Sequence, residues 1–198
     1  MRIGEFGFRV VAEITPEMGA DSVTATSAAH YQPQNLAPES LGSLFGSKLA
    51  AETKAATSLP LPTTLAGSSV FIKDFLGNEH LANLLYVSPT QINFQMPTYI
   101  PVGIGQIFVV TNGNILASGA INIVNTSPGL FSADSTGMGL AAAVVQRVKS
   151  NGEQRYEPVA QFDAATNQFV ALPITISSDS ENVFLLLFGT GIRGRDSK

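Results

Sequence analysis

Turn-forming residues recur at short intervals along this chain, and they leave room only for short elements between them. The clearest signal is Asn112-Gly113, which separates the strand-forming residues 106–111 from residues 115–124. Because Asn-Gly accepts the positive φ angles of a tight turn, this pair predicts a β-hairpin. Two further turns follow later in the chain: Asn151-Gly152 between residues 141–149 and 154–160, and residues 163–167 before residues 168–176.

Between the turns lie short runs rich in β-branched and aromatic residues, which favour strands. These runs are residues 69–73, 84–87, 91–96, 107–110, 121–124 and 183–188. Helix signals are scarce, since the helix-forming residues 48–56 lead into Ser58-Leu-Pro-Leu-Pro62, which cannot continue a helix. Residues 58–62 are predicted to be an extended crossing between sheets or a linker. Many short strands with regular turns predict an all-β chain built around an antiparallel β-sandwich.

The segment from Gln91 to Met96 reads Gln-Ile-Asn-Phe-Gln-Met, a strict alternation of polar and apolar side chains. In a strand, alternate residues point to opposite faces, so the apolar members are predicted to enter the core. The polar face holds Gln91, Asn93 and Gln95. It is either a solvated sheet face or a candidate interaction face for a neighbouring module or an extended polymer.

Phenylalanine accounts for most of the aromatic residues, and tryptophan is absent. Phenylalanine in alternating strands is typical of a core, whereas a stacking platform for sugar or nucleic acid favours exposed tyrosine and tryptophan. Five phenylalanines are therefore predicted to be core anchors: Phe94, Phe108, Phe131, Phe169 and Phe188.

Composition excludes several classes of function. The 198 residues are enough to bury a sizeable core. Only 13% of them are charged, the net charge is −4, and no basic block is present, so the chain lacks the electrostatic footprint of a nucleic-acid-binding protein. Cysteine is absent, which excludes disulfides, thiol catalysis and thiolate metal sites. Two histidines, His30 and His80, are too few for a histidine-rich metal site, and we expect no cofactor.

Targeting signals are equally sparse. Glu5, Arg9 and Glu13 interrupt the apolar run that a signal peptide needs, and no stretch is long and apolar enough to predict a membrane span. Low charge and abundant threonine, serine, asparagine and glycine nevertheless suit a secreted or surface β protein. We expect an extracellular or cell-surface location, with residues 1–35 forming a segment of uncertain order.

A weak internal repeat links two distant segments. Residues 41–49 read LGSLFGSKL, and residues 184–192 read FLLLFGTGI. In both segments an apolar run ends in Phe-Gly. A small hydroxyl residue, one further residue and an aliphatic residue then follow. Either the similarity is fortuitous, or a second β module begins near Val183 and is incomplete. We expect the run from Val183 to Phe188 to pack on residues 141–176, and its exposed edge to favour self-association.

Several longer motifs occur in a fixed order along the chain. The most specific is LLYVSPTQINFQMP at residues 84–97, with TSPGLF at residues 126–131 and EPVAQFD at residues 157–163. Together with residues 27–50, 59–70 and 183–194, they resemble the Solibacter-type uncharacterised C-terminal domain of large secreted bacterial proteins. The resemblance covers residues 27–198. It implies an extracellular module similar to immunoglobulin-like IPT/TIG sandwiches, and it supplies no catalytic residues.

Residues 189–194 match the G-x-G-x-x-G pattern and follow an apolar strand. A dinucleotide site also needs a helix that opens at this loop and an acidic residue about 20 positions further on. Neither follows, so these glycines are predicted to form a turn or bulge.

Catalytic constellations are weak. No G-x-S-x-G elbow is present, and His30 and His80 lie in contexts typical of surface or edge histidines. The acids Glu153, Glu157 and Asp163 flank predicted turns, where solvated carboxylates are expected rather than a glycosidase pair. The short acidic groups near Asp134 and Glu181 are too sparse for a calcium loop. No catalytic or metal-binding residues are predicted.

These observations predict an immunoglobulin-like β-sandwich over residues 36–125. Residues 126–198 would form β-hairpins and the start of an incomplete second β module. The predicted function is a non-catalytic structural or interaction module of a secreted or cell-surface bacterial protein. Its partners would be neighbouring modules of a larger extracellular protein or another surface protein. A carbohydrate-binding module is the alternative, and a hydrolase is a third possibility.

Overall fold

A computed structural model describes residues 20–33, 35–176 and 181–194. Within these residues the chain forms strands and no helix, which confirms the all-β prediction. The strands are β1 (Asp21–Ser22), β2 (Thr24–Ser27), β3 (Leu41–Phe45), β4 (Lys54–Ala55), β5 (Thr64–Leu65), β6 (Ser68–Lys73), β7 (Glu79–Leu81), β8 (Asn83–Val87), β9 (Gln91–Gln95), β10 (Gly103–Thr111), β11 (Asn114–Ile123), β12 (Gly129–Leu130), β13 (Ala143–Lys149), β14 (Gln154–Pro158), β15 (Ala160–Asp163), β16 (Gln168–Ala171), β17 (Glu181–Leu187) and β18 (Gly189–Thr190).

Two sheets form a sandwich. The first has the order β1-β11-β10-β6-β5, with β7 also paired to β6, and the second has the order β2-β3-β9-β8-β4. All of these pairs are antiparallel except β1 with β11. Ile72 and Ile107 from the first sheet share one core cluster with Leu44 and Leu84 from the second. Both sheets also use strands that precede residue 36, namely β1 and β2.

Local sequence signals account for the hairpins. Asn112 and Gly113 join β10 to β11 with φ angles of 52° and 82°, as the predicted tight turn requires. The second Asn-Gly pair also joins two strands, β13 and β14, but only its glycine has a positive φ, 85° at Gly152. Residues 163–167 connect β15 to β16. All three predicted turns are confirmed.

The alternation in β9 is confirmed as well. Ile92, Phe94 and Met96 are almost completely buried, whereas the polar residues between them are half-buried. Residues 58–62 lie between β4 of one sheet and β5 of the other, so the predicted crossing between sheets is present.

The C-terminal third is built differently. Strand β13 lies between β14 and β17 in a three-stranded sheet, while β15 pairs with β16 and β12 pairs with β18. Strand β17 therefore packs back on the hairpin region, as predicted. The only buried residues among the described members of β13 to β17 are Val145 and Arg147. This sheet consequently contributes little to a hydrophobic core.

The prediction of five phenylalanine core anchors is only partly correct. Phe94 and Phe108 are buried, and Phe131 is half-buried. Phe169 and Phe188 are 37% and 50% exposed, so their assignment to the core is wrong. The physical reason is that Phe169 lies in the two-stranded β15–β16 sheet and Phe188 lies between β17 and β18, and a phenylalanine is buried only where another layer covers it.

Direct contacts join the sandwich to the C-terminal third. The Thr190 hydroxyl oxygen accepts a hydrogen bond of 2.7 Å from the Leu41 amide, and Arg193 forms a 2.8 Å ion pair with Glu39. No helix of the described residues is long and apolar enough to cross a membrane.

Candidate functional site

The predicted polar face of β9 is tied into a hydrogen-bond network. Asn93 Oδ1 accepts hydrogen bonds from the Ser43 hydroxyl at 2.9 Å and from Gln91 Nε2 at 2.8 Å. Gln95 lies opposite Leu41 in the β3–β9 ladder. The three predicted residues are all half-buried, so this face is partly covered by other parts of the molecule.

A cavity of about 420 Å³ lies against this face, where sheet strands β3 and β9 meet the segment that precedes β13. Its wall is uncharged and consists of small, apolar and hydroxyl side chains. The residues are Ala28, Ala29, Tyr31, Leu41, Gly42, Ser43, Leu85, Asn93, Phe94, Phe131, Ser132, Ala133, Ser135 and Ala142. Its volume is within the usual range for small-molecule pockets. Asn93 contributes to the wall, whereas Gln91 and Gln95 do not.

One face of the three-stranded sheet carries exposed aromatic side chains. Tyr156 on β14 and Phe184 on β17 both lie directly opposite Gln146 of β13, and they are 59% and 48% exposed. Gln146 Nε2 donates a hydrogen bond of 3.1 Å to the Tyr156 hydroxyl. Since neighbouring strands lie about 4.8 Å apart, the two rings start from backbones separated by roughly 10 Å. We call the row of Tyr156, Gln146 and Phe184 the aromatic row.

The opposite face of the same sheet is organised by Arg147. Its guanidinium group donates to Glu157 at 2.8 Å, to Glu181 at 3.2 Å and to the Thr175 carbonyl at 2.7 Å. The hydrogen bond from Arg147 lowers the pKa of Glu157 and outweighs the opposing effect of burial. These partners satisfy a guanidinium group that the fold removes from water, which is a structural role.

The third feature of this sheet is the free edge of β17, which we call the β17 edge. Strand β17 pairs with β13 on one side, and no described residue pairs with its other side. The Phe188 amide donates to Ala142, on the β13 side. Because successive peptide groups alternate in direction, those of Val183, Leu185 and Leu187 point outwards.

Apolar side chains surround this edge. The exposed members of the run are Phe184, Leu185, Leu186, Leu187 and Phe188, with Ile192 beyond them. The other edge of the sheet is different, since β14 carries Arg155, Glu157 and Pro158. Charges and proline hinder strand addition, whereas a long apolar edge favours it.

The two histidines do not meet. His80 Nε2 lies 2.9 Å from Asp74 Oδ2, and Asp74 is buried. Asp74 also accepts hydrogen bonds from the amides of Leu76 and Asn78, both at 2.9 Å. Burial raises the pKa of Asp74, but the hydrogen bonds from His80, Asn78 and Leu76 together bring it below its ordinary value.

This cluster fixes the turn between β6 and β7 and was missed by the sequence analysis. The spacing of Asp74, Asn78 and His80 is the signal that could have revealed it, because an aspartate at the start of a turn often accepts hydrogen bonds from the residues that follow. His30 receives a weak contact from the Gln32 amide and lies elsewhere in the chain.

The candidate acids are occupied by local partners. Glu153 pairs with Lys149 at 2.9 Å, and Asp163 accepts hydrogen bonds from Ala165 and Thr166 within its own turn. Among the described residues, no group of three or more histidines and acids could hold a metal ion.

The glycines of residues 189–194 are explained by close backbone approach. A Cβ atom at Gly191 would overlap the Ser127 carbonyl group, and one at Gly194 would overlap the carbonyl oxygen of Asn125. The Gly191 carbonyl accepts a hydrogen bond of 2.9 Å from Ser127. Only glycine lets this turn lie directly on the connection that leaves the sandwich.

Comparison with known proteins adds no functional assignment. No protein-family model matches this chain, and no curated protein matches it.

Proposed function

We propose that this chain is a non-catalytic structural or interaction module of a secreted or cell-surface bacterial protein. It would contact neighbouring modules of a larger extracellular protein, or another surface protein, through its C-terminal sheet. The observation that carries the proposal is the β17 edge, which is left open among the described residues and is apolar and uncharged from Val183 to Leu187.

Physical reasoning supports a contact role for this strand. Contiguous exposed apolar surface in a monomer usually marks an interaction site. An unpaired edge strand also offers a row of amide and carbonyl groups to a second chain. Both properties coincide in residues 183–188, while the strands of the sandwich place their buried apolar side chains in one core cluster.

The resemblance of several motifs to the Solibacter-type domain supports the proposed extracellular setting and the proposed immunoglobulin-like strand arrangement. The low charge of the chain agrees with that setting, because only 13% of its residues are charged.

Sedimentation velocity over a range of protein concentrations tests the proposal. We expect the chain to self-associate through the β17 edge, and the Leu185→Lys variant to remain monomeric because it places a charge on that edge. Ile104→Lys is the control, since Ile104 is 74% exposed on a different sheet and its substitution should leave association unchanged. A chain that stays monomeric at every concentration, and whose β17 edge binds no strand of another polypeptide, would contradict the proposal.

A carbohydrate-binding module is the second candidate, and the aromatic row favours it. Exposed aromatic rings on one sheet face, with an amide between them, could stack on sugar rings and bind hydroxyl groups. Retention of the chain by insoluble polysaccharides such as cellulose, chitin and xylan tests this function. Tyr156→Ala should abolish retention, whereas Tyr99→Ala, at an isolated exposed tyrosine, should not.

A further inference from the structure

Strands β3 and β17 occupy equivalent places in two strand pairs. Strand β3 pairs antiparallel with β2, and β17 pairs antiparallel with β13. The sequence repeat brings the two registers into agreement: Leu44 lies opposite Ala25, and its counterpart Leu187 lies opposite Ala143. The two segments are therefore similar in pairing as well as in sequence.

The backbone after each strand repeats too. Lys48 has a φ of 55°, and the residue at the corresponding position, Gly191, has a φ of 74°. A lysine adopts this left-handed conformation at a cost, whereas glycine adopts it freely. The same turn is thus retained with two different residues, which argues against fortuitous similarity.

The two strands differ in what lies on their other side. The far edge of β3 pairs with β9. Two backbone hydrogen bonds lie at the ends of this ladder: the Gly46 amide donates to the Thr90 carbonyl at 3.2 Å, and the Met96 amide donates to the Ser40 carbonyl at 2.9 Å. The counterparts of Gly42 and Leu44 are Leu185 and Leu187, whose peptide groups point out of the β17 edge. The β17 edge thus corresponds to the surface on which β9 pairs.

We propose that the β17 edge binds an antiparallel strand of the β9 type, supplied by another polypeptide. This strand is uncharged and alternates polar and apolar residues over about five positions. It binds in the register that β9 adopts on β3. The inference rests on the proposed function, because it specifies the partner of the same interaction surface.

Side-chain volume restricts which residue the bound strand can carry opposite Leu185. In the first pair Gly42 lies opposite Phe94, and a Cβ atom at Gly42 would come within 2.6 Å of the Phe94 ring. The corresponding residue of β17 is Leu185, which fills the space that the phenylalanine ring needs. The bound strand therefore carries a smaller apolar residue, such as valine, at the position of Phe94, because a tightly packed contact tolerates exchanges that conserve total volume.

Charge also defines the strand. The edge residues from Val183 to Leu187 carry no charge, so a charged side chain on the bound strand would lose water without gaining a partner. A second copy of β17 is a poorer match for this edge. Its residues from Val183 to Leu187 are all apolar, so every second one of them would stay exposed on the solvent-facing side of the enlarged sheet.

Fluorescence anisotropy with a labelled ten-residue peptide tests the inference. The peptide has the sequence of residues 88–97 with valine at the position of Phe94, and it is compared with the unaltered sequence and with a scrambled version. We expect saturable binding that is at least about tenfold tighter for the valine peptide than for either comparison, since 1.4 kcal/mol corresponds to a factor of ten.

Variants of the chain locate the site. Leu187→Pro removes an outward amide and leaves the bonds to β13 in place, so it should weaken binding of the valine peptide at least about tenfold. Tyr156→Ala, which alters the aromatic row away from the edge, should leave the affinity unchanged.

Disulfide capture is a second test of the register, and it does not depend on whether the Leu187→Pro variant folds. The chain has no cysteine, so Leu186→Cys introduces a single thiol. With oxidised glutathione as the two-electron oxidant, it should form a disulfide with the valine peptide carrying Asn93→Cys, because Leu186 corresponds to Ser43, which lies opposite Asn93. A peptide with the thiol at the position of Ile92 or Gln95 should react much more slowly.

The outcomes separate this inference from the proposed function. Absence of saturable binding, equal binding of the scrambled peptide, or equal capture in all registers would overturn the inference. If the chain still self-associates through β17 in those cases, the proposed function stands. If neither self-association nor peptide binding occurs, both fail.

Discussion

Asp74 shows how a single carboxylate organises a local structure that composition could not reveal. His80 is predicted from the sequence to be a surface or edge histidine, and in the structure it lies on the edge strand β7, with its ring against a buried aspartate that also accepts hydrogen bonds from two backbone amides. The individual residues were visible in the sequence. Their meeting depends on how the turn between β6 and β7 folds the chain back on itself, and the sequence predicted a turn before His80 but not its contact with Asp74.

Replacement of Asp74 by asparagine should lower the free energy of unfolding at pH 7 by about 1–3 kcal/mol, because hydrogen bonds to a charged acceptor are lost. The folded-state pKa of Asp74 lies below the ordinary value of 3.8, so its contribution is complete above that pH and is lost as the pH falls through the folded pKa. The difference between the wild-type protein and Asp74→Asn should therefore shrink as the pH drops below 3.8.

Urea denaturation at pH 7 and at a series of acidic pH values measures this difference. Glu52→Gln is the matched control, since Glu52 is exposed and a surface substitution of this kind should change stability by less than about 0.5 kcal/mol at pH 7. A constant difference across the acidic range would show that the charge of Asp74 has no part in stabilising the turn.

At the scale of single elements, local pattern predicted what the structure shows for β9, β10 and β11. Alternation fixes which face of β9 is buried, and Asn112-Gly113 fixes where β10 turns into β11. The same reasoning misplaced Phe169 and Phe188. Strand propensity predicts that a strand forms, but whether its faces are buried depends on a second layer, which is a property of the whole fold.

The two faces of β9 should respond differently to truncation. Phe94→Ala should destabilise the protein by about 3–5 kcal/mol, because it leaves a cavity in a fully buried site. Asn93→Ala should cost about 1 kcal/mol, because Ser43 and Gln91 lose their shared acceptor at a half-buried position. Denaturant unfolding of the two variants measures both values, and similar losses would mean that the register of β9 is different.

Arg147 should matter more to the three-stranded sheet than other arginines do. Arg147→Ala removes the donor to the Thr175 carbonyl and leaves Glu157 and Glu181 with only the exposed Arg155 as a partner, so we expect a clear fall in melting temperature. Arg193→Ala removes a single ion pair from an exposed side chain and should change it little. Thermal unfolding followed by circular dichroism compares the two, and equal effects would contradict the assigned role.

The whole molecule combines a well-filled sandwich with a sheet that has almost no core. Core residues from both sheets of the sandwich form one cluster, while β13 to β17 contribute only Val145 and Arg147 as buried residues among those described. The resemblance and the internal repeat predicted a change of architecture along the chain. They could not predict how much surface stays open, because that depends on which strands meet.

Hydrogen exchange should reflect this asymmetry. Strands β9 and β10 are central strands of the two sheets that enclose the core, so their amides should exchange slowly. Amides of β14 and β16 should exchange much faster, because few apolar contacts oppose the opening of these strands. Mass spectrometry of deuterated fragments resolves the two groups. Equal protection across both would show that the C-terminal sheet unfolds only together with the sandwich.

The contrast between the two edges of the three-stranded sheet sets how far an assembly could grow. One edge is open and apolar, and the other carries charges and a proline. Among the described residues of this sheet only the β17 edge is both open and apolar, so the sheet behaves like a chain stopper in polymer chemistry: it joins one partner strand and offers no second edge of this kind. Association through the β17 edge should therefore yield discrete pairs rather than filaments, however concentrated the protein becomes.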